Sequence, residues 1–232
     1  MPPIKVKMLE TEGAKGAAKT VPGKKPRAQT RIQREKQEVI LEAALDVFSR
    51  EGFRGSTIDQ IAEAAGMSKP NLLYYFASKE EIHRRLLTSM LDLWLDPLRE
   101  MDADGDPIPE IRSYIRRKLE MARDFPRESR LFANEMLQGA PHAIDVLEGE
   151  LKLLVDSKAS VLESWMAQGK ITRTDPYHLI FSIWATTQHY ADFDVQVRAV
   201  LGKARGGEGR FEDAARFLEQ LFLDGLRPRL RV

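Results

Sequence analysis

The 232-residue sequence contains no cysteine. It therefore has no disulfide framework, no thiolate zinc site, no iron–sulfur cluster and no cysteine nucleophile. Long hydrophobic runs are missing too, because stretches such as Val39–Leu41 and Ile183–Ala185 are far shorter than the roughly 20 residues of a membrane helix. The first 13 residues are charged and lack an apolar segment, which predicts no signal peptide. Together these absences predict a soluble, cytoplasmic protein with no membrane partner.

The charges are unevenly distributed along the chain. Residues 1–36 hold ten basic and three acidic residues, whereas the remainder holds 26 basic and 32 acidic residues. A basic front end on an acidic body is typical of a chain that meets a polyanion at one end. Residues 1–30 have no aromatic residue and no apolar repeat, which predicts a disordered basic arm. On charge alone, the arm fits a polyanion-binding segment and a solvated tail equally well.

The rest of the chain has few strand signals and many helical ones. From Arg31 onward, apolar residues recur at spacings of three and four, and the first such helix is predicted to end at Gly52. Prolines punctuate later helices, predicted at about 110–124, 127–137, 143–168, 177–200 and 212–225. The predicted fold class is all-α. We predict two helical domains, over 31–78 and over 79–232.

Two short helices and a tight turn are predicted next to the basic arm. Thr57 and Gln60 predict a capping box at the start of the first helix, and Gly66 suits the turn. Ser68 and Pro70 are typical of the start of the second. An ordinary helical hairpin can have the same small residues, such as Gly66 at its turn. Because the basic arm lies immediately upstream, the pattern favours a helix-turn-helix that binds double-stranded DNA.

The second short helix carries side chains that suit a major groove. Asparagine and lysine pair with base edges, and tyrosine reaches phosphates or the thymine methyl group. Thr57 lies at the N-terminus of the first short helix, where its hydroxyl and the free backbone amides can meet a phosphate. The predicted DNA-binding residues are Thr57, Ser68, Lys69, Pro70, Asn71, Tyr74 and Tyr75.

Three segments closely resemble the N-terminal domain of TetR-family repressors: Phe53–Ile58, Ala65–Lys69 and Leu73–Glu81. The resemblance implies that the recognition helix is Ser68–Phe76 and that Lys79 contacts a phosphate. Many members carry tyrosine where this chain has Leu73. Base contacts are therefore expected from the neighbouring Asn71, Tyr74 and Tyr75.

The C-terminal part resembles the ligand domain of the RutR-type pyrimidine-utilisation repressors within that family. The similar segments are Asp124–Phe132, Glu135–Pro141 and Trp184–Phe193. The resemblance implies a pyrimidine effector such as uracil or thymine, and a homodimer formed through the last two long helices. A TetR-type regulator of other genes, responding to a different small planar or apolar ligand, is the alternative.

The residues themselves are compatible with a small planar polar ligand. Trp184, Gln188 and Asp192 are spaced by four and share one helix face, which combines a stacking ring, an amide and a carboxylate. Residues of this segment could equally line a dimer interface or satisfy buried backbone groups. The predicted effector-binding residues are Trp94, Arg130, Asn134, Trp184, Thr187, Gln188 and Asp192.

An enzyme is the main alternative from another class. Glu80 and His83 have the spacing of a bundle metal motif, but a di-iron site needs a second such motif and two further glutamates. We interpret this pair as a surface helix cap. No His-Glu-x-x-His, Gly-x-Ser-x-Gly or phosphate-binding glycine loop occurs. The sequence therefore predicts no catalytic residue, metal or cofactor, and the family resemblance implies a repressor released from a palindromic operator by an effector. A helical bundle whose arm binds membranes or proteins electrostatically is a further alternative.

Overall fold

The computed structural model describes residues 31–228, and every regular element in that range is helical. The predicted basic arm, residues 1–30, lies outside the described residues. The helices are α1 (Arg31–Gly55), α2 (Ile58–Ala64), α3 (Lys69–Tyr75), α4 (Lys79–Arg99), α5 (Pro107–Asp124), α6 (Pro126–Leu137), α7 (Ile144–Val146), α8 (Lys152–Ala167), α9 (Pro176–Asp192), α10 (Asp194–Arg205) and α11 (Arg210–Leu226), with a π-helical turn at Leu147–Leu151. None of these helices is both long and apolar enough to cross a bilayer.

The described part of the chain divides into two compact units, with the boundary between Ser89 and Met90. The division falls inside α4, whereas the sequence predicted a boundary at the start of that helix. Each unit has its own hydrophobic core.

The N-terminal unit is organised around α1. Its buried face includes Ile40, Ala44 and Phe48, none of which exposes any surface. At Gly52 the backbone takes a positive φ of 69° and leaves the helical path, which confirms the predicted end of the regular helix. This conformation is inexpensive for glycine because it has no Cβ.

Local hydrogen bonds define the helix-turn-helix as predicted. The Thr57 hydroxyl accepts a hydrogen bond from the Gln60 amide, and the Gln60 side chain accepts one from the Thr57 amide, so the predicted capping box is confirmed. Gly66 has a φ of 65° in the turn between α2 and α3. The two short helices are thus held by a cap at one end and a glycine turn at the other.

The start of α4 differs from the sequence prediction at His83. The prediction of a surface cap was wrong for this residue, because His83 is only 1% exposed. Its ring packs against Phe48 and Phe53, with centroids 5.0 and 4.7 Å away. Glu80 is exposed on the same helix. The histidine therefore belongs to the core of the N-terminal unit, because α1 and the residues after its kink fold over that side of α4.

The C-terminal unit is a helical bundle with α5 at its centre. Helices α9 and α11 both pack along α5, and α6 and α8 pack against α9. The core contains Ile115 and Trp165, which expose no surface, and the Trp165 indole donates a hydrogen bond to the Ala103 carbonyl. This packing places the inward faces of α5, α6 and α9 next to one another.

Two long predicted helices are interrupted. The predicted helix 177–200 is interrupted at Phe193, where α9 ends. The Asp194 carboxylate, at the start of α10, pairs with Arg210 at 2.8 Å. The predicted helix 143–168 contains the π-helical turn Leu147–Leu151. Apolar spacing continues across both interruptions, so the sequence pattern alone did not reveal them.

Candidate functional site

Helix α3 has one face in the core and one face in solvent. Leu72 exposes no surface and Phe76, which caps the helix, exposes 4%. Tyr74 on the opposite side is 72% exposed. The buried pair fixes the helix to the domain, so the side chains between them project outward on a rigid support.

The predicted base-contacting residues lie on the exposed side of α3. The rings of Tyr74 and Tyr75 meet edge to face with centroids 5.1 Å apart. Tyr75 is half-buried, so it limits the rotamers of Tyr74, and Asn71 is exposed one turn earlier. Leu73 is also exposed. An exposed tyrosine, asparagine and leucine together offer hydrogen bonds to base edges and an apolar contact for a thymine methyl group.

Lys69 is paired with an acid in the absence of DNA. Its Nζ lies 2.9 Å from Oδ2 of Asp59, and both side chains are largely exposed. Exposed pairs of this kind contribute at most about 1 kcal/mol. A base edge or phosphate can therefore replace Asp59 as the partner of the lysine at little cost.

The other predicted DNA-contacting residues at the N-termini of α2 and α3 differ in the hydrogen bonds that their side chains already make. The Thr57 hydroxyl donates to Oε1 of Gln60 at 3.0 Å, so it is engaged within the domain. Ser68 is exposed and its side chain makes no capping hydrogen bond to α3, and Pro70 is exposed in the first turn. Of the two hydroxyl groups, that of Ser68 is the more available to a phosphate.

Lys79 stabilises the loop that precedes the helix-turn-helix. Its Nζ donates hydrogen bonds to the carbonyl oxygens of Phe53 and Ser56 at 2.7 and 2.8 Å, and it lies 4.3 Å from the centroid of the Phe53 ring. Two of its three N–H donors are therefore used to hold the loop that precedes Thr57. The family resemblance implied that Lys79 contacts a phosphate. The structure adds that Lys79 positions the loop that precedes Thr57.

In the C-terminal unit, two of the predicted effector residues are engaged by neighbouring protein groups. The Trp184 indole N–H donates a hydrogen bond to the Tyr114 hydroxyl, and burial raises the pKa of Tyr114. Thr187 exposes no surface, and its hydroxyl donates to the Ile183 carbonyl one turn earlier at 2.7 Å. The hydrogen bond within its own helix accounts for the burial of Thr187.

Asp192 lies two turns beyond Trp184 on α9. The Ser129 hydroxyl on α6 donates a hydrogen bond to its carboxylate. Burial raises the pKa of Asp192, while the hydrogen bond from Ser129 and the charges of His189, Lys118 and Arg130 oppose that increase. This carboxylate is thus half-buried, and the groups around it favour its charged form.

The remaining predicted effector residues differ in their exposure and contacts. Arg130 is exposed but acts electrostatically on Asp192. Asn134 and Gln188 are half-buried. Trp94 is buried, and its ring meets that of Phe132 edge to face with centroids 5.1 Å apart.

Lys118 lies beside the predicted effector residue Trp94 and was not itself predicted. It lies on the buried face of α5, 6% exposed, with its Nζ 5.5 Å from the centroid of the Trp94 ring. Burial lowers the pKa of Lys118 to about 8, and the charge of Asp192 partly offsets that effect. The signal was present: Tyr114, Lys118 and Ala122 are spaced by four on one apolar face. We call Trp94, Lys118, Ser129, Phe132 and Asp192 the Lys118 cluster.

Both units match models of known protein families. Residues 40–86 match "Bacterial regulatory proteins, tetR family", and residues 87–229 match "YcdC-like protein, C-terminal region". The second match alone covers more than half of the chain. The chain belongs to the TetR family of bacterial transcriptional regulators.

Curated relatives in this TetR family include a protein of nearly the same length. The HTH-type transcriptional regulator RutR of Escherichia coli (strain K12) is 49% identical over 214 residues, which cover 92% of this chain and 99% of RutR. The uncharacterized HTH-type transcriptional regulator YfiR of Bacillus subtilis (strain 168) is 29% identical over 154 residues, 65% of this chain and 75% of YfiR.

Solved structures of other regulators share the fold. The ketosteroid transcriptional regulator KstR2 of Mycobacterium tuberculosis has a TM-score of 0.67 at 21% identity, covering 84% of this chain and 96% of that chain. AibR, solved with isovaleryl coenzyme A and operator DNA, has a TM-score of 0.63 at 18% identity, covering 84% of this chain and all of AibR. The TetR family consists of regulators and not of enzymes, so the predicted fold class, family and regulatory function are confirmed.

Proposed function

We propose that this TetR-family regulator is a homodimeric repressor that releases a palindromic operator when it binds a pyrimidine such as uracil or thymine. The observation that carries the effector assignment is the Lys118 cluster, in which an aromatic ring, a cation and a carboxylate converge. The 49% identity to RutR over nearly its whole length supports the same assignment. A chromosomal operator implies that the protein works in the cytoplasm.

DNA recognition is assigned to α3. Asn71 and Tyr74 read base edges in the major groove, and Lys69 exchanges Asp59 for DNA. Ser68 and Thr57 meet phosphates on either side of the turn. Lys79 holds the preceding loop in place through Phe53 and Ser56.

The dimer is assigned to α9 and α11, the last two long helices. Each exposes large apolar side chains on the single chain: Tyr177 and Phe181 on α9, and Phe217 and Leu221 on α11. Exposed aromatic residues on two long helices favour a helical interface between copies. A two-fold dimer also matches the symmetry of a palindromic operator.

Release follows from a shift between two states of the dimer. Effector binding favours a state whose two recognition helices are not spaced for successive major grooves. A full switch, from 99% of one state to 99% of the other, needs a difference in effector binding of about 5.5 kcal/mol. The ligand therefore has to make contacts in one state that are absent in the other.

A tryptophan fluorescence titration tests the effector assignment. Uracil and thymine are expected to quench the fluorescence saturably, because Trp94 lies in the Lys118 cluster, and adenine is the non-pyrimidine control. At a hundredfold excess over the dissociation constant, the melting temperature should rise by about 5 °C or more. Trp94→Phe should remove most of the quenching. If neither pyrimidine changes the fluorescence or the melting temperature, the effector assignment is wrong and a different small ligand must be sought.

Deletion of residues 1–30 tests the predicted basic arm. We expect weaker DNA binding and a shallower salt dependence, with the log–log slope falling by about 0.9 for each lost phosphate contact. Fluorescence anisotropy at several salt concentrations measures both quantities. An unchanged slope would show that the arm makes no contact with the DNA.

A further inference from the structure

Asp59 and Lys69 form an ion pair that joins the two short helices of the helix-turn-helix. Asp59 lies in the first turn of α2, and Lys69 is the first residue of α3. Oδ2 of Asp59 is 2.9 Å from Nζ of Lys69, and the aspartate side chain is 67% exposed. Because the two groups are in contact, the carboxylate is exposed at the same place as the ammonium group to which a DNA contact is assigned.

The turn between α2 and α3 is held by contacts other than this ion pair. The Met67 amide donates a hydrogen bond to the Ala62 carbonyl at 3.0 Å. Ile61 on α2 and Leu72 on α3 expose no surface. An exposed ion pair adds little stability to a turn that is already packed and hydrogen-bonded. Folding alone therefore does not account for an acid at position 59.

The charge of Asp59 matters most when DNA is bound. The segment Thr57–Tyr75 contains one basic residue, Lys69, and two acidic residues, Asp59 and Glu63, so its net charge is −1. Once Lys69 turns to the DNA, the Asp59 carboxylate loses its donor and is repelled by the phosphates. Amino groups of cytosine and adenine are the donors of the major groove, and carboxylates pair with the cytosine N4 amino group. A cytosine can therefore replace Lys69 as the partner of Asp59.

A G·C base pair offers partners to both side chains at once. Guanine presents the acceptors O6 and N7, which lysine recognises, and cytosine presents the N4 donor beside them. Guanine O6 and cytosine N4 are hydrogen-bonded to each other about 2.9 Å apart, which matches the separation of Nζ and Oδ2 in the ion pair. In an A·T pair the adenine amino group lies between two acceptors, which repel a carboxylate. The ion pair is therefore complementary to the major-groove edge of a G·C pair.

We propose that Asp59 is a specificity-determining residue that accepts a hydrogen bond from the N4 amino group of a cytosine, while Lys69 donates to the guanine of the same base pair. This inference rests on the proposed function, in which α3 reads the operator, and it adds one C·G pair to each half-site. On any other sequence the carboxylate faces the DNA without a donor. Asp59 therefore selects a base pair and also weakens binding to non-specific DNA.

Operator fragments with single base-pair substitutions in one half-site test the inference by fluorescence anisotropy. In the wild type, replacing this C·G pair with T·A should weaken binding about 5- to 150-fold. Asp59→Ala should reduce that penalty at least about fivefold and keep the preferences at all other base pairs. The variant should also bind a scrambled fragment more tightly than the wild type does, because a negative charge has been removed.

Glu63→Ala is the matched control, because Glu63 is also an exposed acid on α2. Its substitution removes the same charge, so it should tighten binding to all fragments alike and leave every base preference unchanged. Lys69→Met should weaken the preference at the same base pair as Asp59→Ala, since the two side chains share that pair.

Deletion of the cytosine amino group identifies the atom that Asp59 contacts. The base 2-pyrimidinone is cytosine without its 4-amino group, and in place of this cytosine it should weaken binding of the wild type. The same replacement should cost Asp59→Ala little, because the acceptor is already gone. The weaker pairing of 2-pyrimidinone with guanine affects both proteins equally and is removed by comparing them.

The outcomes separate this inference from the proposed function. If the wild type shows no sequence preference, the proposed DNA recognition fails and this inference fails with it. If Asp59→Ala keeps the wild-type preference at every base pair, recognition by α3 stands and the role of Asp59 is wrong. Binding that is only uniformly tighter, as for Glu63→Ala, would also contradict a base contact. Loss of all preferences together with a lower melting temperature would assign Asp59 to the fold.

Discussion

Replacing Tyr74 with alanine is expected to abolish sequence-specific DNA binding. The side chain is 72% exposed on α3, where its position is limited by the edge-to-face contact with Tyr75. A base contact contributes about 1–3 kcal/mol, and the dimer makes it twice, so the specific affinity should fall roughly 30- to 20,000-fold. Electrophoretic mobility shift with an operator fragment and a scrambled fragment measures this loss.

The same experiment needs a second recognition variant and a control. Asn71→Ala should also lose sequence preference, because its amide reads bases from the same exposed side of α3. Glu63→Ala, at an exposed position on α2, should keep the preference. All three variants should keep the wild-type melting temperature and dimer mass. Retained sequence preference in both Tyr74→Ala and Asn71→Ala would contradict the assignment of α3 as the recognition helix.

Phe217→Asp is expected to convert the dimer to a monomer and to weaken operator binding strongly. Phe217 is 60% exposed on the single chain, so the substitution leaves the core of the bundle intact. In the dimer, the new carboxylate would be buried against an apolar surface without a partner. A monomer binds only one half-site, and losing the second costs about 10²- to 10⁴-fold in affinity.

Sedimentation equilibrium and operator titration test this prediction together. Leu153→Asp is the matched control, because Leu153 is 70% exposed on α8, outside the proposed interface. The control should remain dimeric and bind the operator normally. If Phe217→Asp remains a dimer with full operator affinity, the interface does not involve this face of α11.

The helix-turn-helix could be predicted in detail because local contacts define it. The capping box of Thr57 and Gln60 and the positive φ of Gly52 and Gly66 each depend on a few neighbouring residues. Side-chain type and spacing are sufficient evidence for such features. The family resemblance then implied that Ser68–Phe76 is the recognition helix.

Features that depend on tertiary packing could not be predicted in the same way. His83 is buried because Phe48 and Phe53 lie across it. α9 ends at Phe193, and Asp194, at the start of α10, pairs with Arg210 sixteen residues later. Neither contact has a signature in local spacing.

The proposed effector site was only partly predictable for the same reason. Asp192 and Trp94 were predicted and belong to the Lys118 cluster. Thr187 was also predicted, but its hydroxyl donates a hydrogen bond to the Ile183 carbonyl within α9. Lys118 was missed because a lysine between apolar residues on a helix face is usually a snorkelling side chain. Its burial became evident only once α4 and α9 were placed against α5.

We propose that this regulator is bound to DNA without a pyrimidine and released with one. The most direct test is fluorescence anisotropy of a labelled palindromic operator, selected from genomic fragments with the purified dimer, before and after addition of uracil. We predict that uracil and thymine release the operator and that adenine does not. An operator complex that is unchanged at saturating uracil and thymine would contradict the proposed release.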